Sequence, residues 1–354
     1  MNDNELMKSM PIPRAVAKMA IPSIISSLVT VVYNMADTFF VSQISTSASA
    51  AVGVSYSLMS MIQALGFTLG MGSGNYLSRV LGSRDEEKAE RIASTGFYSA
   101  ILIGLLFAVV CLPNLDALVR LLGATDTIAP YARDYAKYIL IAAPVMTGSL
   151  AMNNLLRFQG LAVYAMIGIT TGGILNMILD PIFIFGLDLG ISGAALATAL
   201  SQCISFGILF FQSLLRKDCV HLKPGKITLS LALYGEILHG GIPSLCRQGI
   251  ASIATAALNL AANPFGDAAI AALSIVSRYM MFIGSAMIGF GQGFQPVCGF
   301  NFGAKRYDRV LESFWFCVKV SVVFLAVLAV GSFVGAPQIM RAFRKEDLDV
   351  IEIG

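Results

Sequence analysis

The sequence predicts an all-α protein that crosses a membrane many times. Of its 354 residues, 56% are hydrophobic and 13% are charged, whereas a soluble domain carries about 25% charged residues. The apolar residues form nine segments long enough to span a bilayer, which takes about 20 residues each. Basic residues gather in alternate loops, as is typical of a polytopic membrane protein.

The nine predicted spans follow one another along nearly the whole chain. They are Ala15–Val41, Val52–Leu77, Ile92–Leu112, Tyr135–Leu156, Leu161–Phe185, Ile191–Leu214, Glu236–Ala262, Ala268–Phe300 and Phe314–Val334.

Loop charge predicts the orientation of these spans, because loops rich in Lys and Arg stay on the cytoplasmic side. One set of loops carries Arg14, Lys18, Arg79, Arg84, Lys88, Arg91, Arg157, Arg216, Lys217, Lys223, Lys226, Lys305, Arg306 and Arg309. The opposite loops carry only Arg120 and Arg133. The residues before the first span lack the basic start and apolar core of a secretory signal. We therefore expect a cytoplasmic N-terminus and a multi-pass protein of the bacterial plasma membrane.

The chain contains an internal repeat. Ala20-Ile21-Pro22-Ser23 returns as Gly241-Ile242-Pro243-Ser244, and Gly70-Met71-Gly72 returns as Gly291-Gln292-Gly293, with one constant difference of 221 residues. A repeat of six spans is even, so both copies enter the membrane in the same direction and are related by an axis along the membrane normal.

The repeat predicts the domain organisation. Residues 1–215 form a first lobe of six helices, 216–235 a basic cytoplasmic linker, and 236–354 a second lobe of three helices and a tail. Because the first copy has six spans, we expect the second lobe to be incomplete and the chain to be a fragment or a truncated product.

Two acidic residues lie inside apolar spans. A carboxylate at that depth costs roughly 2.5–3.5 kcal/mol, so it usually faces a partner or a wet cavity. Asp37 follows Tyr33 by four residues, and Asp180 follows Asn176 by four, which puts each pair on one helix face. The alternatives are a helix-end Asp facing outer water for Asp37 and, beside Pro181, a kinked helix end capped by Asp180.

Two further polar groups are candidates for the same site. Thr198 in the sixth span lies near the level of these acids, whereas Asn153 lies deeper in the fourth span and is a weaker candidate; such residues also form plain interhelical hydrogen bonds. Carboxylate, amide and hydroxyl oxygens suit a sodium ion or an exchangeable proton. The sequence therefore predicts an ion site that includes Asp37, Asn176, Asp180 and Thr198.

Other residues are weaker candidates. Pro22 lies within the first span, where it leaves a carbonyl unpaired and permits a bend. Arg278 and Met280 lie in the eighth span, where a charged group needs a partner or a wet cavity; both are candidates for the lining of the central cleft, and the alternative for Arg278 is a side chain that snorkels to the membrane surface. The six cysteines and two histidines are scattered, so a zinc site is not expected, and the sequence offers no catalytic constellation.

The motifs together resemble the multidrug and toxic compound extrusion (MATE) family, in its DinF-like branch. The matching stretches are Ile21-Pro22-Ser23, Tyr33-Asn34-Met35-Ala36-Asp37-Thr38, Gly70-Met71-Gly72-Ser73-Gly74, Arg79-Val80-Leu81-Gly82, Asn176-Met177-Ile178-Leu179-Asp180-Pro181, Gly190-Ile191-Ser192-Gly193-Ala194-Ala195, Gly266-Asp267-Ala268-Ala269-Ile270-Ala271-Ala272, Gly291-Gln292-Gly293-Phe294-Gln295-Pro296 and Asn301-Phe302-Gly303-Ala304.

The resemblance implies a MATE-type two-lobe fold and an antiporter that expels lipophilic, often cationic compounds as a proton or sodium ion enters. It implies that Asp37 and Asp180 are the coupling carboxylates, that Tyr33, Asn153, Asn176 and Thr198 accompany them, and that Pro22 is the bend. We expect no cofactor other than the coupling ion and no nucleic-acid partner. We expect a monomer among membrane lipids. The rivals are a flippase for lipid-linked saccharides, a non-transporting membrane fragment and, least supported, a membrane enzyme.

Overall fold

The computed structural model describes residues 9–216, 218–262 and 267–343, and these ranges are almost entirely helical. Nine long helices lie in the described ranges, one at each predicted span. They are α1 (Ile12–Ser42), α2 (Thr46–Gly82), α3 (Glu86–Cys111), α4 (Ala129–Phe158), α5 (Ala162–Pro181), α6 (Gly190–Leu215), α7 (Leu231–Ala262), α8 (Asp267–Gly303) and α9 (Tyr307–Phe343). A short helix, Leu115–Leu121, lies between α3 and α4.

Most helices extend beyond the apolar segments that predicted them. Helix α1 begins three residues before Ala15, and α7 begins five residues before Glu236. Hydropathy detects only the apolar part of a helix, whereas its polar end turns continue past the hydrocarbon. Local capping sets two of these ends: Ser45 accepts the N–H of Ala48 at the start of α2, and Asp85 accepts that of Lys88 at the start of α3, each at 3.0 Å.

Composition supports membrane crossing for seven of the described helices, α1–α6 and α9, which are long and apolar enough. Helices α7 and α8 are equally long but fall outside these seven. For α7 and α8 an apolar span stays a prediction, although a long helix occupies each position.

Helix α4 is the centre of the first lobe, which we define as α1–α6. Its most apolar window is 78% buried, against 39% or less for every other candidate span. It packs between α2, α3 and α6, so it contributes to both large apolar cores of this lobe. One core contains Leu58, Ile62 and Ile139, and the other contains Phe97 and Leu155.

The second lobe, α7–α9, contacts the first lobe mainly at one end of the bundle. We call this the basic end, because the α2–α3 and α8–α9 loops lie there with their Lys and Arg residues. Glycines allow the helices to approach: a Cβ on Gly72 would meet the backbone of Ile237, and one on Gly303 would meet that of Arg79. Toward the other end the facing helices are exposed, with Ile250 of α7 at 66% exposure.

The connection between the lobes is bound to the first lobe along its length. The N–H of Val220 donates to Gln159 at 2.7 Å, that of Lys223 donates to Ser94 at 3.0 Å, and that of Thr228 donates to Thr95 at 3.1 Å. The Lys223 ammonium also pairs with Glu90 at 2.9 Å. The linker is therefore fixed to the first lobe by these hydrogen bonds and this ion pair.

Candidate functional site

Three helices of the first lobe bring a polar cluster together in its interior. Asp37 comes from α1, Asn176 and Asp180 from α5, and Thr198 from α6; all four are buried, with Asp180 at 0% exposure. The Asn176 amide donates to Asp180 Oδ1 at 3.1 Å and to Thr198 Oγ1 at 3.2 Å. The i, i+4 spacing of Asn176 and Asp180 places both on the α5 face that meets α6.

The two carboxylates share one electrostatic environment. Asp37 acts on Asp180 through charge, and Tyr33 lies near enough to Asp37 to interact with it as well. Among the described residues, no Lys or Arg forms an ion pair with either carboxylate. The cluster is therefore acidic, enclosed and without a basic partner.

Tyr135 is a member of this cluster that the sequence did not suggest. It is fully buried at the start of α4, its phenol lies beside the Asp37 and Thr198 side chains, and it interacts electrostatically with Asp180. Its hydroxyl also approaches the Met59 sulfur at 3.9 Å. The available signal was a phenol in the outer half of the fourth span, at the level of the acids.

Several oxygens of the cluster are buried without a hydrogen-bond partner among the described residues. They are Asp37 Oδ1, Asn176 Oδ1, Asp180 Oδ2 and the nearby Ser201 Oγ. Unpaired buried oxygens are costly, so such groups usually mark a site for water or an ion. Hard oxygen donors of this kind fit a proton or a sodium ion. No group of three or more His, Cys, Asp or Glu that could hold a metal occurs within the described ranges.

A cavity of about 90 Å³ with a mostly apolar wall adjoins the cluster. Asn176 and Thr198 form part of its wall, together with the side chains of Thr30, Gln63, Ser149, Ser201, Gln202 and Ser205. A water needs roughly 10–15 Å³ of such space and two to four polar partners. The cavity can therefore hold several waters beside the unpaired oxygens.

Asn153 lies apart from the cluster. Its amide donates to the backbone carbonyl of Ala165 at 3.0 Å, eleven residues before Asn176 on α5. At 1.5 Å per residue this is roughly 16 Å from Asn176. The separation is one of depth, in keeping with the deeper position of Asn153 in the fourth span.

Pro22 lies inside a continuous α1, where hydroxyl groups supply extra hydrogen bonds. Ser23 Oγ donates to the Met19 carbonyl at 2.8 Å, and Ser26 Oγ donates to the Pro22 carbonyl at 2.9 Å. Pro22 is buried and lies close to α8. The proline therefore occupies the contact between the two lobes.

Arg278 and Met280 are exposed on α8, with Met280 at 57% exposure. The structure does not bring either residue to the acidic cluster. Arg157, counted above among loop charges, is instead buried at 4% exposure near the end of α4. The second lobe covers it, which loop charge alone does not reveal.

Comparison with known sequences gives matches in both lobes of the chain. The MatE family profile matches residues 22–182 and 243–354. The multidrug export protein MepA of Staphylococcus haemolyticus (strain JCSC1435) is 30% identical over 321 residues, which is 89% of this chain and 69% of that protein. MepA of Staphylococcus aureus (strain NCTC 8325) is 29% identical over 347 residues, 95% of this chain and 75% of that protein.

Solved structures are similar over essentially the whole chain. An outward-facing multidrug resistance MATE transporter of the MOP superfamily superposes with a TM-score of 0.93 at 26% identity, covering 100% of this chain and 79% of that one. A MATE structure in the bent conformation gives a TM-score of 0.92 at 27% identity, covering 99% and 79%. By profile, relatives and fold, the chain belongs to the MATE family of multidrug efflux transporters.

Proposed function

We propose that this protein is an ion-coupled antiporter that exports lipophilic, cationic drug-like compounds in exchange for a proton or a sodium ion. The observation that carries the proposal is the enclosed cluster of Asp37 and Asp180, which has unpaired oxygens and no basic partner within the described part of the chain. The relatives named multidrug export protein MepA support the substrate class. Because both acids lie in the first lobe, we assign the chain to the DinF-like branch.

The proposed coupling site consists of Asp37, Asp180, Asn176, Thr198 and Tyr33. Two buried carboxylates repel each other, so a bound proton or sodium ion stabilises the occupied cluster. Asn176 orients the site because its amide links Asp180 on α5 to Thr198 on α6. We add Tyr135 for its place beside Asp37 and Thr198, and leave out Asn153, whose amide is committed to Ala165.

Transport follows from alternating access of two lobes. When an ion neutralises the cluster, repulsion between α1 and α5 falls and the two helices can approach. A change in the position of α1 reaches the second lobe at Pro22, where α1 contacts α8. The substrate cleft between the lobes then narrows, and the drug is released outward.

The proposal also covers the domain organisation, the membrane orientation and the location of the transporter. The lobes correspond to residues 1–215 and 236–354, joined by 216–235. The basic end faces the cytoplasm, as the distribution of Lys and Arg among the loops supports, so the N-terminus is cytoplasmic. The protein acts as a monomer in the bacterial plasma membrane, with lipid and small molecules as its partners.

A flippase for lipid-linked saccharides is the second candidate. Exposed Arg247 and Arg278 in the second lobe are cations that could attract an anionic lipid-linked substrate. In addition, a similar MOP superfamily transporter from Pyrococcus furiosus, with a TM-score of 0.90 and 28% identity, is described as having a binding pocket of reversed polarity that suggests a different function. Two carboxylates enclosed in the first lobe favour ion coupling over this candidate.

The test is uptake of a fluorescent lipophilic cation into proteoliposomes under an imposed proton or sodium gradient. We expect Asp37→Asn and Asp180→Asn to abolish gradient-driven uptake while retaining cation binding. Asp188→Asn is the matched control. Asp188 is an exposed acid in the neighbouring loop with a φ of 52°, which Asn tolerates.

Each other outcome has a defined meaning. Full gradient-driven uptake by Asp37→Asn would reject the coupling role of the cluster. Transport of a lipid-linked anion without dependence on either gradient would favour the flippase. Failure of the unaltered protein to respond to any gradient would favour the non-transporting fragment.

A further inference from the structure

Arg157 carries a buried positive charge at the contact between the two lobes. Its side chain lies near the end of α4 at 4% exposure. Nη1 donates to Gln292 Oε1 of α8 at 2.8 Å, Nη2 donates to Asn154 Oδ1, and Nε has no partner. Among the described residues no carboxylate pairs with it, so its acceptors are neutral amides.

The Arg157 guanidinium gains little net stabilisation from this environment. Burial removes its hydration, and two amide oxygens replace only part of it, since only two of its five N–H groups have an acceptor among the described residues. If the lobes separate at the basic end, water reaches the guanidinium and restores that hydration. At Arg157 the closed contact is therefore stabilised by the hydrogen bond to Gln292 and opposed by desolvation of the guanidinium, whereas elsewhere at this end the Arg79–Glu236 ion pair at 3.0 Å also joins the lobes.

Gln292 lies in the helix segment that approaches α1 most closely. A Cβ on Gly289 would lie 2.7 Å from the Ile24 nitrogen, and one on Gly293 would collide with Ala20. We call this contact of Gly289 and Gly293 with residues 20–24 the glycine seam. Pro22 lies in the middle of the α1 side of the seam, and Gln292 precedes Gly293 by one residue.

We propose that Arg157 and Gln292 form a separable latch that sets how readily the lobes part at the basic end. A change in bend at Pro22 shifts α8 through the glycine seam and so displaces Gln292 from Arg157. Arg157 acts as a positioning residue, because its hydrogen bonds go to Gln292 and Asn154 and not to the coupling site. This inference rests on the proposed alternating access but assigns the latch to residues outside the coupling site.

The test measures the distance between the lobes without transport. Spin labels are placed at the exposed positions Glu86 and Asp308, in a background that lacks the six native cysteines. Gln292→Glu puts a carboxylate opposite the buried guanidinium. We expect the ratio of short to long distances to rise by about tenfold or more, as for a close buried ion pair. Gln292→Ala should lower the same ratio.

The double variant Arg157→Gln/Gln292→Glu is the decisive control. If Glu at position 292 acts through Arg157, the gain in short distances should be lost in the double variant. An equal gain in that background would overturn the proposal, as would unchanged distances in both single variants at position 292. If Gln292→Glu does not fold, Gln292→Ala and Arg157→Lys give the same comparison, with loosening expected in Ala and near-normal distances in Lys.

The outcome can be separated from that of the proposed function. Distances report the latch even if Asp37→Asn proves to have no effect on transport. Conversely, loss of transport in Asp37→Asn together with unchanged distances in the latch variants would support the proposed coupling site and refute the proposed latch.

Discussion

Replacing Gly289 by alanine should loosen the contact between the lobes. The added Cβ would lie 2.7 Å from the Ile24 nitrogen and 2.9 Å from the Ser23 carbonyl carbon, whereas ordinary contacts lie at 3.4–4 Å. Both neighbours are backbone atoms of α1, so α8 must move away by roughly 1 Å. Overpacking of this kind costs about 1–3 kcal/mol, which corresponds to roughly a 5- to 150-fold loss of the closed population.

The matched control is Gly284→Ala on the same helix, since nothing lies within 4 Å of a Cβ at Gly284. Both substitutions raise helix propensity equally, by about 1 kcal/mol, so propensity cancels in the comparison. The readout is the distance between spin labels at Glu86 and Asp308, with gradient-driven uptake measured alongside. Identical distance distributions for the two variants would refute the close approach of α1 and α8 and the reasoning built on it.

Two further predictions concern the coupling site and the linker. Thr198→Val removes one acceptor of the Asn176 amide, at a cost of about 1–3 kcal/mol, so half-maximal uptake should need roughly 5- to 150-fold more coupling ion. Thr170→Val, which removes a buried hydroxyl without a partner, should leave the requirement unchanged. In the linker, burial raises the pKa of the Cys219 thiol to about 12, with Asp218 adding to the effect. Alkylation of Cys219 at pH 7.5 should be roughly a thousandfold slower than after unfolding, and should speed up about tenfold per pH unit; equal rates before and after unfolding would contradict the buried position.

Much of the fold could be predicted because a membrane span is a local property. Apolar length identified a helix at every predicted position, and i, i+4 spacing placed Asn176 beside Asp180, as their hydrogen bond shows. Both signals use residues that are close in the sequence.

The parts of the fold and of the candidate site that the sequence did not predict depend on contacts between residues far apart in the chain. Tyr135 reaches Asp37 across 98 residues, and Arg157 reaches Gln292 across 135. A basic residue at the end of a span is typical of a cytoplasmic loop, so nothing local distinguished Arg157 from its neighbours.

The anchored linker limits where the molecule can flex. Hydrogen bonds from Val220, Lys223 and Thr228 to α3 and α4 make this stretch move as a unit with the first bundle. A rotation of the second bundle must then be absorbed by the few residues that follow, before Leu231 begins α7. Leu229 and Leu231 are 86% and 92% exposed, so little packing opposes torsion there. If the lobes rotate as proposed, the pivot is a joint of about three residues, and a proline at Ser230 is the simplest way to stiffen it.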